Sequence, residues 1–199
     1  MVVSVVIFGT LRAQDSSVDH RFVLGLEYGA TTCINYSALS AFEDNTDNYS
    51  MPTASFFLGF KNLSTERYYG ITMEGMSAHT SQPFEDNCNN YMALLSSKRY
   101  LPLFNNVNIW YGYGVGAAWI INQYTVSGDN LNINRLGLAA KFEGGLIYNF
   151  TDYSYIGLTG GFVSVSLITD NYDVPAGYTK NNNNLIFGKQ IMLSYGVKF

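Results

Sequence analysis

The carboxyl-terminal segment constrains the fold of this chain more than any other stretch. From residue 191 to residue 199 every second side chain is apolar, and all but one of the residues between them are polar or tiny. A period of two is typical of a β-strand with one apolar face. Soluble proteins seldom leave so apolar a strand at a chain end, whereas a transmembrane barrel needs a closing strand with an apolar outer face. The apolar residues are Ile191, Leu193, Tyr195, Val197 and Phe199.

Composition agrees with a membrane barrel. The 199 residues suffice for one domain, and they include 16 Tyr and 13 Phe against only 13% charged residues. No internal run reaches the ~18–20 apolar residues of a membrane-spanning helix, and the apolar residues are instead spread in alternation. The net charge of −4 gives no reason to expect nucleic acid as a partner.

The amino-terminal residues resemble an export signal that lacks its basic start. Residues 2–9 form a largely apolar segment, and Leu11, Arg12 and Ala13 could precede cleavage before Gln14 or Asp15. The sequence therefore predicts a partial signal peptide over residues 1–14 and a barrel domain over residues 15–199. The alternative is an ordinary buried strand at the start of the chain.

The two cysteines raise the question of a disulfide. Export would place Cys33 and Cys88 in an oxidising compartment, where they could form one bridge between the bases of outward loops. The alternative is two ordinary thiols. No metal-ligand spacing and no Gly-rich phosphate loop is present, so we expect no metal and no cofactor.

Eight alternating segments can be counted along the chain. The predicted strands span about residues 21–36, 53–61, 67–78, 91–100, 107–125, 136–149, 154–167 and 185–199. The predicted connections after the first, third, fifth and seventh strands are long and polar, and the other three are short. Long outward loops and short periplasmic turns are typical of membrane barrels, and an even strand count places both chain ends on the periplasmic side.

Two segments carry a family resemblance. Tyr100–Pro102 is followed by the Gly-rich strand Ile109–Gly116, and the chain closes with Tyr195–Phe199. These segments resemble the small outer-membrane barrels related to the OmpA transmembrane domain and the opacity proteins, over roughly residues 20 to 199. The resemblance implies an all-β fold, an eight-stranded antiparallel up-and-down transmembrane β-barrel in a Gram-negative outer membrane. It also implies that the barrel-assembly machinery reads the closing strand as a signal.

Charged residues within the strands should point into the barrel. A lipid-facing Arg or Lys at mid-bilayer costs ~2–4 kcal/mol, so strand charges are expected on the inner face. An eight-stranded barrel is just wide enough for side chains to fill, which predicts a plugged interior held by ion pairs. The alternative is a narrow cation-preferring pore lined by the glutamates of this set. The predicted lumen network is Glu27, Glu74, Lys141, Glu143 and Lys198.

The predicted outward loops are acidic. Their cationic residues are only Arg135 and Lys180. An acidic rim could hold divalent cations shared with lipopolysaccharide, or could simply keep the loops soluble. The acidic residues are Glu43, Asp44, Asp47, Glu85, Asp86, Asp129, Asp170 and Asp173.

One pair of residues invites a catalytic hypothesis. His79 and Ser81 lie two apart near the end of the third predicted strand, and a Ser activated by a His is the usual hydrolase arrangement. Small outer-membrane barrels that deacylate lipid A carry a similar pair. Here the pair falls at a loop and lacks that family's Asn-containing context, so we expect no enzyme activity, and an acyl hydrolase is the minor alternative.

Together these patterns predict a monomeric outer-membrane barrel with a structural or adhesive role. Its expected partners are outer-membrane lipid and lipopolysaccharide, the barrel-assembly machinery, and a host or matrix ligand at the loops. The alternative fold is a soluble lipocalin-like barrel, in which the aromatic face would be buried as the core.

Overall fold

The chain forms one closed antiparallel sheet. A computed structural model describes residues 20–34, 49–80, 85–126, 129–169 and 184–199, so the predicted signal peptide over residues 1–14 lies outside the described residues. Each strand pairs with its neighbours in sequence, and β8 pairs with β1 to close the barrel. The strands are β1 Phe22–Ile34, β2 Tyr49–Asn62, β3 Arg67–Thr80, β4 Glu85–Phe104, β5 Val107–Val126, β6 Asp129–Asn149, β7 Ser154–Thr169 and β8 Leu185–Lys198.

Closure between the first and last strands leaves no exposed sheet edge. Leu26 of β1 is paired with Phe56 of β2 on one side and with Tyr195 of β8 on the other. At the chain ends, Phe22 N donates to Phe199 O at 2.7 Å and Phe199 N donates to Phe22 O at 3.0 Å. Every strand can therefore satisfy its backbone polar groups within the sheet, which a lipid environment requires.

The barrel is apolar outside and polar inside at its centre. Outward side chains are strongly exposed, among them Leu193 (68%) and Phe142 (58%), whereas the intervening residues of β8 are buried from Ile186 to Lys198. Exposed apolar area on this scale would be unfavourable in water and is favourable in lipid. Among the described residues, no helix is long and apolar enough to cross a bilayer.

Three short turns lie at one end of the barrel, which we call the turn end. Between β2 and β3, Asn62 Oδ1 accepts hydrogen bonds from Ser64 N and Thr65 N, and Glu66 adopts a positive φ of 54°. Between β4 and β5, Asn105 adopts a positive φ of 43°, a conformation that Asn tolerates. Both chain ends of the barrel lie at this end, as expected for an even strand count.

The structure corrects the predicted loop lengths at the other end, the loop end. The connections after β3 and β5 comprise only residues 81–84 and 127–128, so the long loops predicted there were wrong. The polar residues that suggested loops belong instead to tall hairpins, in which Glu85 is paired with Thr125 and Val126 with Asp129. Polar residues remain in these strands because the neighbouring strand satisfies their backbone groups even outside an apolar wall. The connections after β1 and β7, residues 35–48 and 170–183, are long as predicted.

Candidate functional site

A layer of five charged side chains crosses the middle of the barrel. Lys141 Nζ lies 2.6 Å from Glu74 Oε2, 2.8 Å from Glu143 Oε2 and 3.9 Å from Glu27 Oε2. Lys98 Nζ lies 2.9 Å from Glu143 Oε1 and 3.3 Å from Glu27 Oε1. These residues come from β1, β3, β4 and β6, so their ion pairs tie strands on several sides of the barrel to one another. We call them the ionic layer.

Neutral hydrogen-bonding side chains surround the ionic layer. Gln190 Nε2 donates to Glu74 Oε1 at 2.5 Å and to Thr31 Oγ1 at 3.1 Å, and Thr31 Oγ1 lies 2.7 Å from Thr53 Oγ1. A second pair, Thr159 and Ser194, is joined through the hydroxyls. The bond from Gln190 gives Glu74 a second partner beside Lys141, which limits the desolvation cost of this buried carboxylate.

The turn end of the lumen is filled by aromatic residues. Lys98 Nζ lies 4.8 Å from the ring centroid of Phe57 and 4.4 Å from that of Trp110, so this layer also stabilises the ionic layer through cation–π contacts. Tyr100 packs against the same cluster, and its hydroxyl lies 3.3 Å from that of Tyr155. The buried members of this aromatic layer are Val23, Phe57, Tyr68, Trp110, Ile147 and Tyr155.

The loop end of the lumen is filled by aliphatic and sulfur-containing residues. Beyond them lies Arg135, which is 1% exposed and donates from Nη2 to Asn122 Oδ1 at 2.8 Å. Arg135 therefore points into the lumen, which corrects its assignment to the outward loops. Its position on β6 has the inward parity, and the hairpin extends the lumen to that height. The apolar layer consists of Cys33, Met51, Met76, Cys88, Met92, Leu94, Ala118, Ile120, Ala139, Val163, Val165, Leu167 and Ile186.

These three layers fill the lumen along its described length. An ion crossing the barrel would have to displace apolar side chains on one side of the ionic layer and aromatic rings on the other. The carboxylates that a cation-preferring pore would need, Glu27, Glu74 and Glu143, are occupied by lysine ammonium groups.

Four of the five residues predicted as a lumen network lie together, and the fifth does not. Lys198 lies near the turn end, where its Nζ donates to Asn149 Oδ1 at 3.0 Å and lies 5.3 Å from the rings of Tyr100 and Tyr155. Lys98 takes the place that the prediction gave to Lys198. Its neighbour Ser97 is a polar residue at an outward position, which obscured the alternation of β4 in the sequence.

Cys33 and Cys88 are two separate thiols, the second of the two alternatives, and no disulfide joins them. Both side chains are buried in the apolar layer, on β1 and β4, which are not adjacent strands. Cys88 Sγ accepts a hydrogen bond from Asn122 Nδ2 at 2.7 Å, and burial raises the barrier to any oxidant reaching either sulfur.

The residues proposed for catalysis are not arranged as a lumen site. His79 is exposed on the outer face of β3, and its Nδ1 lies 2.7 Å from Asn87 Oδ1 on the paired position of β4. Ser81 lies outside the described residues, as do the side chains of the predicted acidic loop residues. Nothing in the described part of the chain activates a nucleophile beside this histidine.

The predicted assembly-signal residues all lie on the outer wall of β8 or at its end. Ile191, Leu193 and Tyr195 point outward, Val197 is half-buried, and Phe199 stacks on Phe22 with ring centroids 6.0 Å apart. They form one apolar stripe at the seam where the barrel closes. That they act as an assembly signal stays a prediction.

Solved structures provide the comparison with known proteins. Neisserial surface protein A superimposes with a TM-score of 0.61, covering 89% of this chain and 97% of that one at 9% identity. Ail, the attachment invasion locus protein of Yersinia pestis, gives a TM-score of 0.51, covering 92% of this chain and all of that one at 11% identity. Ail has also been solved with the heparin analogue sucrose octasulfate, at a TM-score of 0.50 and 13% identity.

At these identities the likeness shows the fold alone. The matched proteins are eight-stranded outer-membrane barrels, so the predicted fold class, an eight-stranded antiparallel up-and-down barrel of the transmembrane type, is confirmed. No protein-family model matches the sequence, and no curated protein sequence matches it.

Proposed function

We propose that this protein is a bacterial outer-membrane barrel with a sealed lumen, and that it acts as a monomeric scaffold that stabilises the envelope or presents its loops to an external surface. The observation that carries the proposal is the filled lumen within an apolar wall. Because the interior is occupied by the ionic layer and the two layers flanking it, the surfaces left for function are the outer wall and the rims.

A sealed lumen predicts no ion conduction. We expect the purified protein in a planar lipid bilayer to give no unit conductance steps, because passage requires displacement of packed apolar side chains. Folding of the barrel in the same preparation is checked separately by the heat-dependent gel shift, and its incorporation by co-flotation with lipid vesicles. Discrete conductance steps whose size changes in Glu27→Gln or Glu74→Gln would contradict the proposal and support the cation-preferring pore.

The long connections suggest what the scaffold presents. Residues 35–48 and 170–183 carry five acidic residues and one lysine in sequence. Such a rim would repel a polyanion like the heparin analogue bound by Ail, so we propose cationic ligands or divalent cations shared with lipopolysaccharide as the partners. The acidic residues are Glu43, Asp44, Asp47, Asp170 and Asp173.

Shortening these connections separates an adhesive role from a structural one. We expect a variant lacking residues 38–46 and 172–182 to keep the barrel and its heat-dependent gel shift, because the deletions leave all eight described strands intact. A structural role predicts that this variant restores detergent resistance to cells lacking the protein. An adhesive role predicts that it restores resistance no further than an empty vector and loses attachment to matrix-coated surfaces. If cells lacking the protein lose neither detergent resistance nor attachment to matrix-coated surfaces, the proposed function is wrong.

A further inference from the structure

A groove on the outer wall near the turn end differs from the rest of the apolar surface. In the strand pairing, Ser97 lies between Tyr69 and Tyr113, so a small side chain separates two large rings. The gap continues along the wall beside aliphatic side chains toward the middle of the barrel. The groove is lined by Phe60, Tyr69, Ile71, Leu95, Ser97 and Tyr113.

A fixed cation closes the end of this groove nearest the turns. Arg67 extends across β4, where its Nη1 donates to Ser97 Oγ at 3.0 Å and its Nη2 donates to Tyr111 OH at 3.0 Å. The guanidinium carbon lies 5.1 Å and 5.5 Å from the ring centroids of Tyr111 and Tyr113. Ser97 is only 3% exposed, although its position faces outward. The guanidinium is therefore held in place by two hydrogen bonds and two rings.

A second arginine stands beside the first. Arg99 is directly paired with Arg67 in the β3–β4 register. Its Nη2 lies 3.7 Å from Glu66 Oε2, a long contact to a largely exposed carboxylate, and its buried Nε has no hydrogen-bond partner. Arg99 is thus paired with one loosely held carboxylate, and the strand register places it next to Arg67. Guanidinium donors match phosphate oxygens in geometry and charge, so this pair of arginines suits a phosphate ligand.

We propose that this groove binds an anionic glycerophospholipid, with its phosphate between Arg67 and Arg99 and one acyl chain along the groove past Leu95. The position rests on the proposed function, because short turns mark the periplasmic side and therefore the inner leaflet of the outer membrane. Arginine is tolerated there, since its cost on a barrel wall falls steeply from the bilayer midplane toward the interface. Lipopolysaccharide occupies the opposite leaflet and does not reach this rim.

Native mass spectrometry of the full barrel, released from bilayers of equal phosphatidylglycerol and phosphatidylcholine, tests the site. We expect the wild type to retain phosphatidylglycerol in preference, and Arg67→Gln or Arg99→Gln to weaken that retention about tenfold, roughly the effect of one charge-assisted hydrogen bond. Ser97→Phe, which fills the groove without altering charge, should weaken it as well. Arg21→Gln is the matched control, because Arg21 is an exposed arginine at the turn end, just before β1.

The outcomes separate the lipid site from the proposed function. Equal retention of both lipids by the wild type, or equal losses in Arg21→Gln and Arg67→Gln, would overturn the site. Displacement of phosphatidylglycerol by added lipopolysaccharide would also overturn it. Each preparation is first checked for the heat-dependent gel shift. A gel shift without a preference for phosphatidylglycerol would contradict the lipid site alone. The absence of a gel shift in the wild type would contradict both the lipid site and the proposed membrane scaffold.

Discussion

Replacing Lys141 by Met is expected to lower the free energy of unfolding by about 3–5 kcal/mol, the range found when one partner of a buried ion pair is removed. Lys141 is the residue that contacts all three carboxylates of the ionic layer, at 2.6–3.9 Å. Without it, Lys98 alone faces Glu27 and Glu143, and Glu74 loses its lysine partner. Urea unfolding of the barrel in lipid vesicles, followed by tryptophan fluorescence, measures the change.

Two further variants make this prediction specific to the ion pairs. Lys189→Met makes the same chemical change on the outer face of β8, and we expect no loss of stability, because a lysine facing lipid is itself unfavourable. Adding Glu74→Gln to Lys141→Met should recover part of the lost free energy of unfolding, because the two side chains are in contact. We expect the effects of the two substitutions to depart from additivity by about 0.5–3 kcal/mol. If Lys141→Met costs no more than Lys189→Met, the ionic layer does not stabilise the barrel.

The second large effect concerns the outer wall. Phe142 lies between Lys141 and Glu143 in sequence and points outward at the level of the ionic layer. We expect Phe142→Arg to cost about 2–4 kcal/mol in vesicles or to prevent insertion, because the new charge faces lipid at mid-bilayer. The same vesicle unfolding assay measures it.

The control for this substitution is the same change at a position near the membrane interface. Phe104 is equally exposed, at 61%, but ends β4 at the turn rim, so Phe104→Arg should cost only about 0–1 kcal/mol. A soluble barrel would show no such dependence on depth. Equal effects of the two substitutions would therefore contradict a membrane-spanning wall.

The alternation of side chains made the wall predictable from sequence. In β8 the outward positions of Ile191, Leu193 and Tyr195 follow directly from the period of two, because a closed barrel gives every strand one lipid face and one lumen face. The same parity placed Glu27, Glu74, Lys141 and Glu143 inside. Because the lumen of an eight-stranded barrel is narrow, these four inward side chains were expected to contact one another.

The features that escaped the sequence depend on register between strands. Lys98 lies in a run where Ser96, Ser97 and Lys98 are all buried, because Arg67 covers the outward Ser97 from a neighbouring strand. The pairing of Arg67 with Arg99 is likewise a property of the β3–β4 register and is invisible along the chain. The tall hairpins were mistaken for loops because polar composition alone does not distinguish a paired strand above the membrane from a loop.

Gel mobility of the outer-membrane fraction in dodecyl sulfate tests the central account most directly. A closed barrel whose strands are all paired should resist the detergent until heated. We expect a compact band in the unboiled sample that moves to the position of the full-length unfolded chain on boiling. Recovery of the protein in the soluble fraction, with no shift between boiled and unboiled samples, would contradict a membrane barrel and make the aromatic wall the core of a soluble one.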